Sequence, residues 1–595
     1  ILGGSSARTR LTVDGTSVVN SIEGGSQQNF SQEVVGEFQI STVNFDLSTG
    51  VTGVGAVNIV TRGGGNEFHG SGYYFFRDHN MAAFPALRRD ANNPDPFFAR
   101  RQAGFYVGGP IKRDKLFFFF NYERNNQDSV FTVQPQSASF ARFAQIVPSP
   151  FNGKQHSTRF DYRINDKHSM FLRYSHDGND NLGPRDGAPM PSYWLKNVNY
   201  ADQSLLAVTS VFSSNLVNDF RFAYGYWQNR NDTPSASDCV GNCIGLGLPQ
   251  IDVTGAGFLI GNNFNAPQGR DLRRFTLNDN VSWQKGKHRF RFGGEYEPGP
   301  GTGYWAFCEP ACVVLYSPEI VGFYNSQVPA AARIQIPASF NTAADILQLP
   351  LAGFSTGIGD PRQPPPFQLE NVKWARRTHV YWQDVWRMRP NLTLNYGLAY
   401  SYEATLANHD LDAPAYLRPI FGDYIGPSKK DTNNFSPSLG FSWSPNKDNK
   451  TVIRGGAGIY YDTQLLWERL QERGLIGPRG NGRVPIGGAL VPNPIPGIPG
   501  VPVGTPLAFT SVPTQFRGAH LIAVLPQLRT GIQQLVGDPN NKDLSVRNIE
   551  VFKQGVNLQN RAIKVPYSMQ YNLGVQRELR RDTVLTADFV WRQFV

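Results

Sequence analysis

The stretch "NLTLNYGLAYSYE" at 391–403 alternates without a break. Leu392, Leu394, Tyr396, Leu398, Tyr400 and Tyr402 fall on one side, and Thr393, Asn395, Gly397, Ala399, Ser401 and Glu403 on the other. Period-two alternation over such a length predicts a β-strand with two unlike faces. The pattern recurs along the chain in pairs joined by short polar turns. "TRFDYRI" and "SMFLRYSH" flank "NDKH" at 165–168, and "SLLAVTSVF" and "NDFRFAYGYW" flank "SSNLV" at 213–217. "RRFTLNDNVSW" and "HRFRFGGEYE" flank "QKGK" at 284–287, and further pairs turn at 112–114, 387–391, 444–450 and 580–582. Such connections are hairpins.

The connections between pairs are of another kind. Segments 178–202, 230–272, 298–375, 405–432 and 463–565 are long, rich in Gly, Pro and Asn, and without sustained periodicity, so they are expected to be loops. Short and long connections in alternation place every short turn at one end of an up-and-down sheet and every long loop at the other. Outer-membrane barrels have this asymmetry. Strands of about ten residues suit a tilted crossing of a bilayer, whereas strands of ordinary sheets run to about 5–6. Apolar rows such as Phe160, Tyr162 and Ile164, opposite Arg159, Asp161 and Arg163, are then expected to face lipid. Tyr400, Tyr402, Tyr460, Tyr461 and Trp591 are expected in interfacial girdles. About fifteen strands are expected, beginning with "GSGYYFFRDH" at 70–79. Bacterial barrels carry an even number, so the chain, which stops at Val595 just after a hairpin, is expected to be incomplete, with further strands missing. No signal peptide is visible from Ile1, so either one was removed with further N-terminal sequence or the chain is a fragment. The fold class is thus an incomplete all-β transmembrane up-and-down antiparallel barrel.

Composition agrees. Charged residues are only 17%, aromatic ones 13%, with 60 Gly and 42 Pro among 595 residues, which argues against disorder and against a helical enzyme. The net charge of +10 is spread among 47 acidic residues rather than gathered in a stripe. Nucleic acid is therefore not an expected partner; solvated loops and a polar interior account for the charge.

The cysteines form two tight pairs, Cys239 with Cys243 and Cys308 with Cys312, both in Gly/Pro-rich sequence. Local closure of each pair is the simplest of three connectivities, and implies an oxidising compartment. A zinc site is the sharper alternative, but the spacing is unusual and the nearby loops offer no His. "GFSTG" at 353–357 has the spelling of a nucleophile elbow, yet the prolines after it forbid the required helix, so Ser355 is expected to be a loop serine. His168 and His176 are expected to be solvated turn residues. Glu295 and Glu297 share a face by pleating alone and are expected in the lumen or at a strand end. No metal, cofactor or catalytic constellation is expected, and no enzyme. The proline-rich run at 484–511 reads as an external loop that either touches a ligand or packs on its neighbours.

Residues 1–69 break the hairpin rhythm and read as a small mixed α/β unit just upstream of the barrel. A strand runs into a turn at Asp14-Gly15, a short polar helix start precedes a strand in "QEVVGEFQISTVNFD", and a glycine-laced strand ends at Arg62. "VDG" at 13–15, "GAVNIVTRGGGNEFHGSGYYFFRD" at 55–78 and "GGPIKRDKLFFFFNYE" at 108–123 resemble the plug-to-barrel junction of TonB-dependent outer-membrane receptors, most closely the Oar-like branch. "YWQDVWRMRPNLTLNYGLAYSYE" and "PYSMQYNLGVQREL" are similar to its recurrent barrel segments. The resemblance implies that 1–69 is the later part of a plug and 70–595 a partial barrel with long extracellular loops. Asp14, Gly15, Arg62, Gly63, Asn66 and His69 would be structural residues of the junction. It further implies residence in the outer membrane of a Gram-negative-type bacterium, among its lipid. The partner would be the TonB–ExbB–ExbD complex, and the cargo a scarce small solute (siderophore, glycan or peptide) whose binding residues the sequence leaves unknown. A surface adhesion or assembly protein, or a passive porin-like barrel, is the alternative. "LSTGVTGVG" at 47–55 departs from the family's usual run and carries no ligand role over.

Overall fold

The computed structural model describes residues 9–42, 46–83, 89, 91–184, 189–305, 308–358, 374–404, 407–413, 415–446, 448, 450–463, 465–469, 472, 484–487, 496, 502–504, 512–537 and 558–595. Among the described residues fifteen long strands, with the short Gln145–Pro148 and Gly301–Trp305 between them, make one curled sheet, from His69–Asp78, Phe98–Lys112 and Leu116–Val133 round to Tyr567–Arg580 and Thr583–Phe594. Each pairs antiparallel with the next, and hairpins such as Lys112 to Leu116 and Arg580 to Thr583 close as the turn chemistry predicts. Asp114 and Asp582 take φ of 60° and 63° in two of these turns, a left-handed conformation that Asp tolerates. Thr583–Phe594 comes next to His69–Asp78 in the ring order, but no residue-by-residue register joins them among the described residues. Tyr74, Phe76, Leu585 and Phe589 on these two strands are exposed.

The sheet is apolar outside and polar inside. Leu398 is 46% exposed while its neighbours on the other face, Ala399 and Ser401, are buried. Leu172, Phe292, Leu439 and Leu573 point outward in the same way, and Arg173, Gln203, Glu295, Gln383 and Gln570 are buried inside. A water-soluble sandwich has the opposite polarity; rows of exposed Leu, Phe and Tyr are stable only against hydrocarbon. Trp382 and Tyr396 meet edge to face on the outer surface, and Tyr571 lies against Trp591, as girdle aromatics do. No described helix is long and apolar enough to cross a membrane.

Inside the ring sits a four-stranded sheet of β1 (Arg10–Val13), β2 (Thr16–Ser17), β3 (Val35–Ser41) and β4 (Ala56–Thr61), ordered β2-β1-β4-β3. β1 and β4 are parallel; the other pairings are antiparallel. Asp14 at φ 49° and Gly15 at φ 79° make the turn between β1 and β2.

At the long-loop end the structure departs from the loop expectations. Segment 178–202 is mostly strand: His168–Gly183 and Leu195–Ser213 continue through it in unbroken register. One face there carries Asn179, Asn197 and Asn199, and the other mixes Val198 and Tyr200 with Asp180 and Lys196, so the apolar alternation that marks a strand is broken up although the backbone ladder persists. The other long connections build a second, five-stranded sheet from Phe258–Ile260, Gln250–Thr254, Cys312–Tyr316, Leu351–Ile358 and Val484–Gly487. Phe140, Phe258, Val313, Leu315, Phe354, Leu521 and Leu525 form its core, with Phe140 and Phe258 stacked at 4.4 Å. Helix Gly518–Gly537 contributes Leu521, Leu525 and Leu528 to that core. Ser355 is therefore a strand residue opposite Cys312, not a loop serine. Beyond Gly487 only residues 496 and 502–504 of the proline-rich run are described.

Two further expectations change. Tyr460 is buried inside with Leu47, Tyr381 and Ala399 rather than standing in a girdle, because neighbours in a strand face opposite ways. His176 is 5% exposed, stacked on His156 with centroids 5.0 Å apart and its Nδ1 2.9 Å from Asp202, rather than solvated.

Candidate functional site: the junction of inner sheet and wall

The inner sheet is held by polar contacts spread round the ring, and the first cluster centres on Asp14. Its Oδ1 and Oδ2 accept hydrogen bonds from Thr61 N and Thr61 Oγ1, both at 2.8 Å. The wall residue Arg173, fully buried, brings Nε within 2.9 Å of Asp14 Oδ2. Arg159 donates to Thr61 O at 3.1 Å and is itself paired with Asp161 at 2.7 Å. Gly15 N donates to Asn58 Oδ1 at 2.9 Å, and a Cβ on Gly15 would overlap the Arg221 guanidinium.

The second cluster is an alternating charge chain. Arg10 of β1 donates to Glu295 Oε2 at 2.5 Å, with the two side chains 6% and 3% exposed. Glu297, two residues along the wall strand, pairs with Arg377 at 3.1 Å, and Arg377 reaches Glu403 at 3.5 Å. Burial alone would lower the Arg10 pKa, but the carboxylates of Glu295 and Glu297 outweigh it and hold the guanidinium above its ordinary value, against Arg377. Arg274 donates to Ser17 Oγ at 2.9 Å.

Opposite sectors are tied through the backbone. His379 Nε2 lies 2.8 Å from Leu47 O, Ser568 Oγ donates to Gly53 O at 2.7 Å, and Arg592 donates to Val54 O at 2.7 Å. Asp46 pairs with Arg291. The departing segment 47–55 is thus a docking edge of the inner sheet.

The remaining junction residues lie where the chain passes from the inner sheet into the wall. Arg62 donates to Val35 O at 3.1 Å and lies over the Tyr106 ring at 5.3 Å. Gly63 and Gly64 run so close to the wall that a Cβ would meet Asp161 Oδ2 at 2.8 Å in the first case and overlap Phe118 O in the second. Asn66 Nδ2 donates to Asp114 Oδ1 at 2.6 Å, and Asp114 N donates back to Asn66 Oδ1 at 2.7 Å. His69 opens the first wall strand and is exposed. Glu295 and Glu297 face the interior and bind arginines. The sequence reading missed their partners, since Arg10 lies 285 residues away from Glu295.

In the cap, formed at the long-loop end by the five-stranded sheet and the segments around it, sulfur–sulfur bonds join Cys239 to Cys243 and Cys308 to Cys312. No cluster of three or more metal-ligating side chains occurs among the described residues.

A ring of long antiparallel strands, apolar outside, polar inside and occupied by a small sheet, defines an integral outer-membrane β-barrel protein. The chain belongs to the outer membrane beta barrel domain family, whose model matches residues 60–141 and 130–592. A stretch of 129 residues, 20% of this chain and 12% of the relative, is 30% identical to the TonB-dependent transporter Oar of Myxococcus xanthus. Among solved structures the fold resembles the outer membrane transporter YddB of Escherichia coli, with a TM-score of 0.58, 12% identity, and coverage of 100% of this chain and 62% of that one. It also resembles the siderophore receptor PirA of Acinetobacter baumannii (0.53, 13%, 100% and 64%). The ferric enterobactin receptor PfeA of Pseudomonas aeruginosa is similar as well (0.52, 12%, 100% and 64%). The chain thus spans under two thirds of the length of these transporters and receptors, and its family places it in the outer membrane of a Gram-negative bacterium.

Proposed function

We propose that residues 1–69 are plug and the rest wall of a receptor that binds a scarce solute from outside and imports it with energy passed from the inner membrane by TonB–ExbB–ExbD. What supports this reading is the inner sheet's attachment round the ring, from Glu123 and Arg173 through Glu295 and His379 to Ser568 and Arg592. A barrel of this many strands is too wide to fill with its own side chains. A small sheet fastened by hydrogen bonds and ion pairs occludes it, and polar fastenings can be exchanged for water one at a time. An apolar core would have to be torn open at once. The outer membrane holds no nucleotide supply, so uphill uptake needs a mechanical input that such fastenings can yield to.

Deleting residues 1–69 from the full-length protein is expected to leave a pore that leaks small solutes from proteoliposomes. Unchanged exclusion would refute the plug assignment. Uptake that persists in cells lacking TonB would refute the energy coupling.

A further inference from the structure

A cavity of about 260 Å³ lies between the 29–32 segment of the inner unit and the interior wall. That is just below the roughly 300–1,000 Å³ of sites for drug-sized ligands, a size for one or two small rings. Asn29 and Gln32 on its inner side are exposed, so it opens to solvent. Its lining is rich in carboxamides: Gln102, Asn125, Gln155 and Asn179 on the wall join Asn29 and Gln32. Phe30 and Phe151 supply two aromatic faces. The Phe151 ring lies against Gly153, where an added Cβ would stand 3.1 Å from ring carbon Cε1.

The charged groups at the cavity are already engaged. Glu123 accepts from Ser31 Oγ at 2.8 Å, Tyr73 OH at 2.5 Å and Gln102 Nε2 at 2.8 Å. Asp177 accepts from Asn29 N at 2.8 Å and from Asn29 Nδ2 at 2.9 Å. Arg100 donates to Asn125 at 3.1 Å and Gln102 at 3.3 Å. Two carboxylates stand against one guanidinium, so an anionic ligand meets a net unfavourable field. Gln155 donates to Asp177 at 3.3 Å and leaves its Oε1 without a partner among the described residues.

Carboxamides continue along the wall as a ladder. Asn199 donates to Asn179 at 3.0 Å, Asn229 to Asn199 at 2.7 Å, and Asn231 to Asn229 at 2.8 Å. A carboxamide both donates and accepts, and so does a hydroxyl. A wall of such groups can trade its mutual hydrogen bonds for bonds to successive hydroxyls without stranding a donor or acceptor. The aromatic faces suit the C–H side of a pyranose ring. From this chemistry we infer that the cavity binds a neutral saccharide unit, with the asparagine ladder extending the site toward further sugar residues. The inference rests on the uptake reading for its physiological meaning but concerns binding alone.

The test is calorimetric titration of the purified protein in a detergent without a sugar headgroup, using maltotriose, cellobiose and N,N′-diacetylchitobiose as probes. Saturable binding of at least one is expected. Asn125→Leu and Gln155→Leu should each weaken it tenfold or more, with folding checked by heat-modifiable gel mobility. Gly153→Ala, which displaces the Phe151 ring without removing a polar group, is a second variant and should weaken binding at least threefold. Failure of all three probes to bind overturns the saccharide assignment. So does tighter binding of a ferric tris-catecholate anion that Arg100→Gln abolishes and the carboxamide variants leave intact. Either failure leaves the leak and uptake experiments untouched, so the two readings fall separately.

Discussion

Arg10 and Glu295, 285 residues apart, share a 2.5 Å charge-assisted hydrogen bond in which neither side chain reaches solvent appreciably. Removing one partner from such a pair strands a buried charge. Arg10→Ala is expected to destabilise seating of the inner sheet by about 3–5 kcal/mol, whereas Arg10→Met with Glu295→Leu should recover much of the loss. Trp227 and Trp467 pack beside Ile22 of the inner unit. Their fluorescence during urea titration in detergent reads the unseating; equal losses in the single and double variants would contradict the assignment.

Gly64 and Gly15 are glycines for different reasons, and substitution separates them. A Cβ on Gly64 collides with the backbone of Phe118, which cannot move without disturbing a wall strand, whereas one on Gly15 meets only the end of the Arg221 side chain. Gly15→Ala is expected to cost about 1 kcal/mol through its positive φ. Gly64→Ala should cost more, and should render residues 1–69 susceptible to protease in otherwise folded protein. Protection equal to that of the parent would remove the steric argument.

The two disulfides should differ in reactivity. Cys239 and Cys243 lie at the cap surface, while Cys308 and Cys312 are buried. A graded reductant followed by alkylation and mass spectrometry is expected to label the first pair before the second. Because each closes a very short loop, replacing Cys239 and Cys243 by Ser should lower cap stability by no more than about 2 kcal/mol.

Burial raises the Asp252 pKa in the cap strand Gln250–Thr254. A carboxyl whose folded pKa lies above its unfolded value binds its proton more tightly when folded. Stability therefore falls as pH rises from the ordinary Asp range through the raised value. Asp252→Asn should raise the cap melting temperature at pH 7 and make no difference below the ordinary Asp range. Fluorescence of Trp194, in the cap core, provides the signal; a difference that grows on acidification would reverse the sign.

The faces of the wall strands were legible because Leu394 against Asn395, or Phe292 against Arg291, differ in polarity from one residue to the next. The strand extensions at 178–202 were not, since Asp180 and Lys196 interrupt the apolar face that Val198 and Tyr200 share, and the Gly/Asn-rich run at 178–183 carries no periodic signal. The cap sheet was hidden for another reason. Its strands are three to eight residues long, and several pair across long intervening segments, as Ser355 does with Gly487. At the junction, the glycines and Asp14 could be singled out from local sequence, but their partners Arg173, Phe118 and Arg221 are decided by the curvature of the whole sheet.

Arg592 donates to Val54 O across 538 positions. The ribosome makes Val54 long before Arg592, so this fastening of the inner sheet exists only once the wall strand Thr583–Phe594 has been synthesised and inserted. Residues 10–61 must therefore wait, folded or not, beside an unfinished cylinder whose polar lining is open to water. Docking of the inner sheet is thereby coupled in time to insertion of the wall, and a delay in the Tyr567–Phe594 hairpin is a delay in completing its attachment.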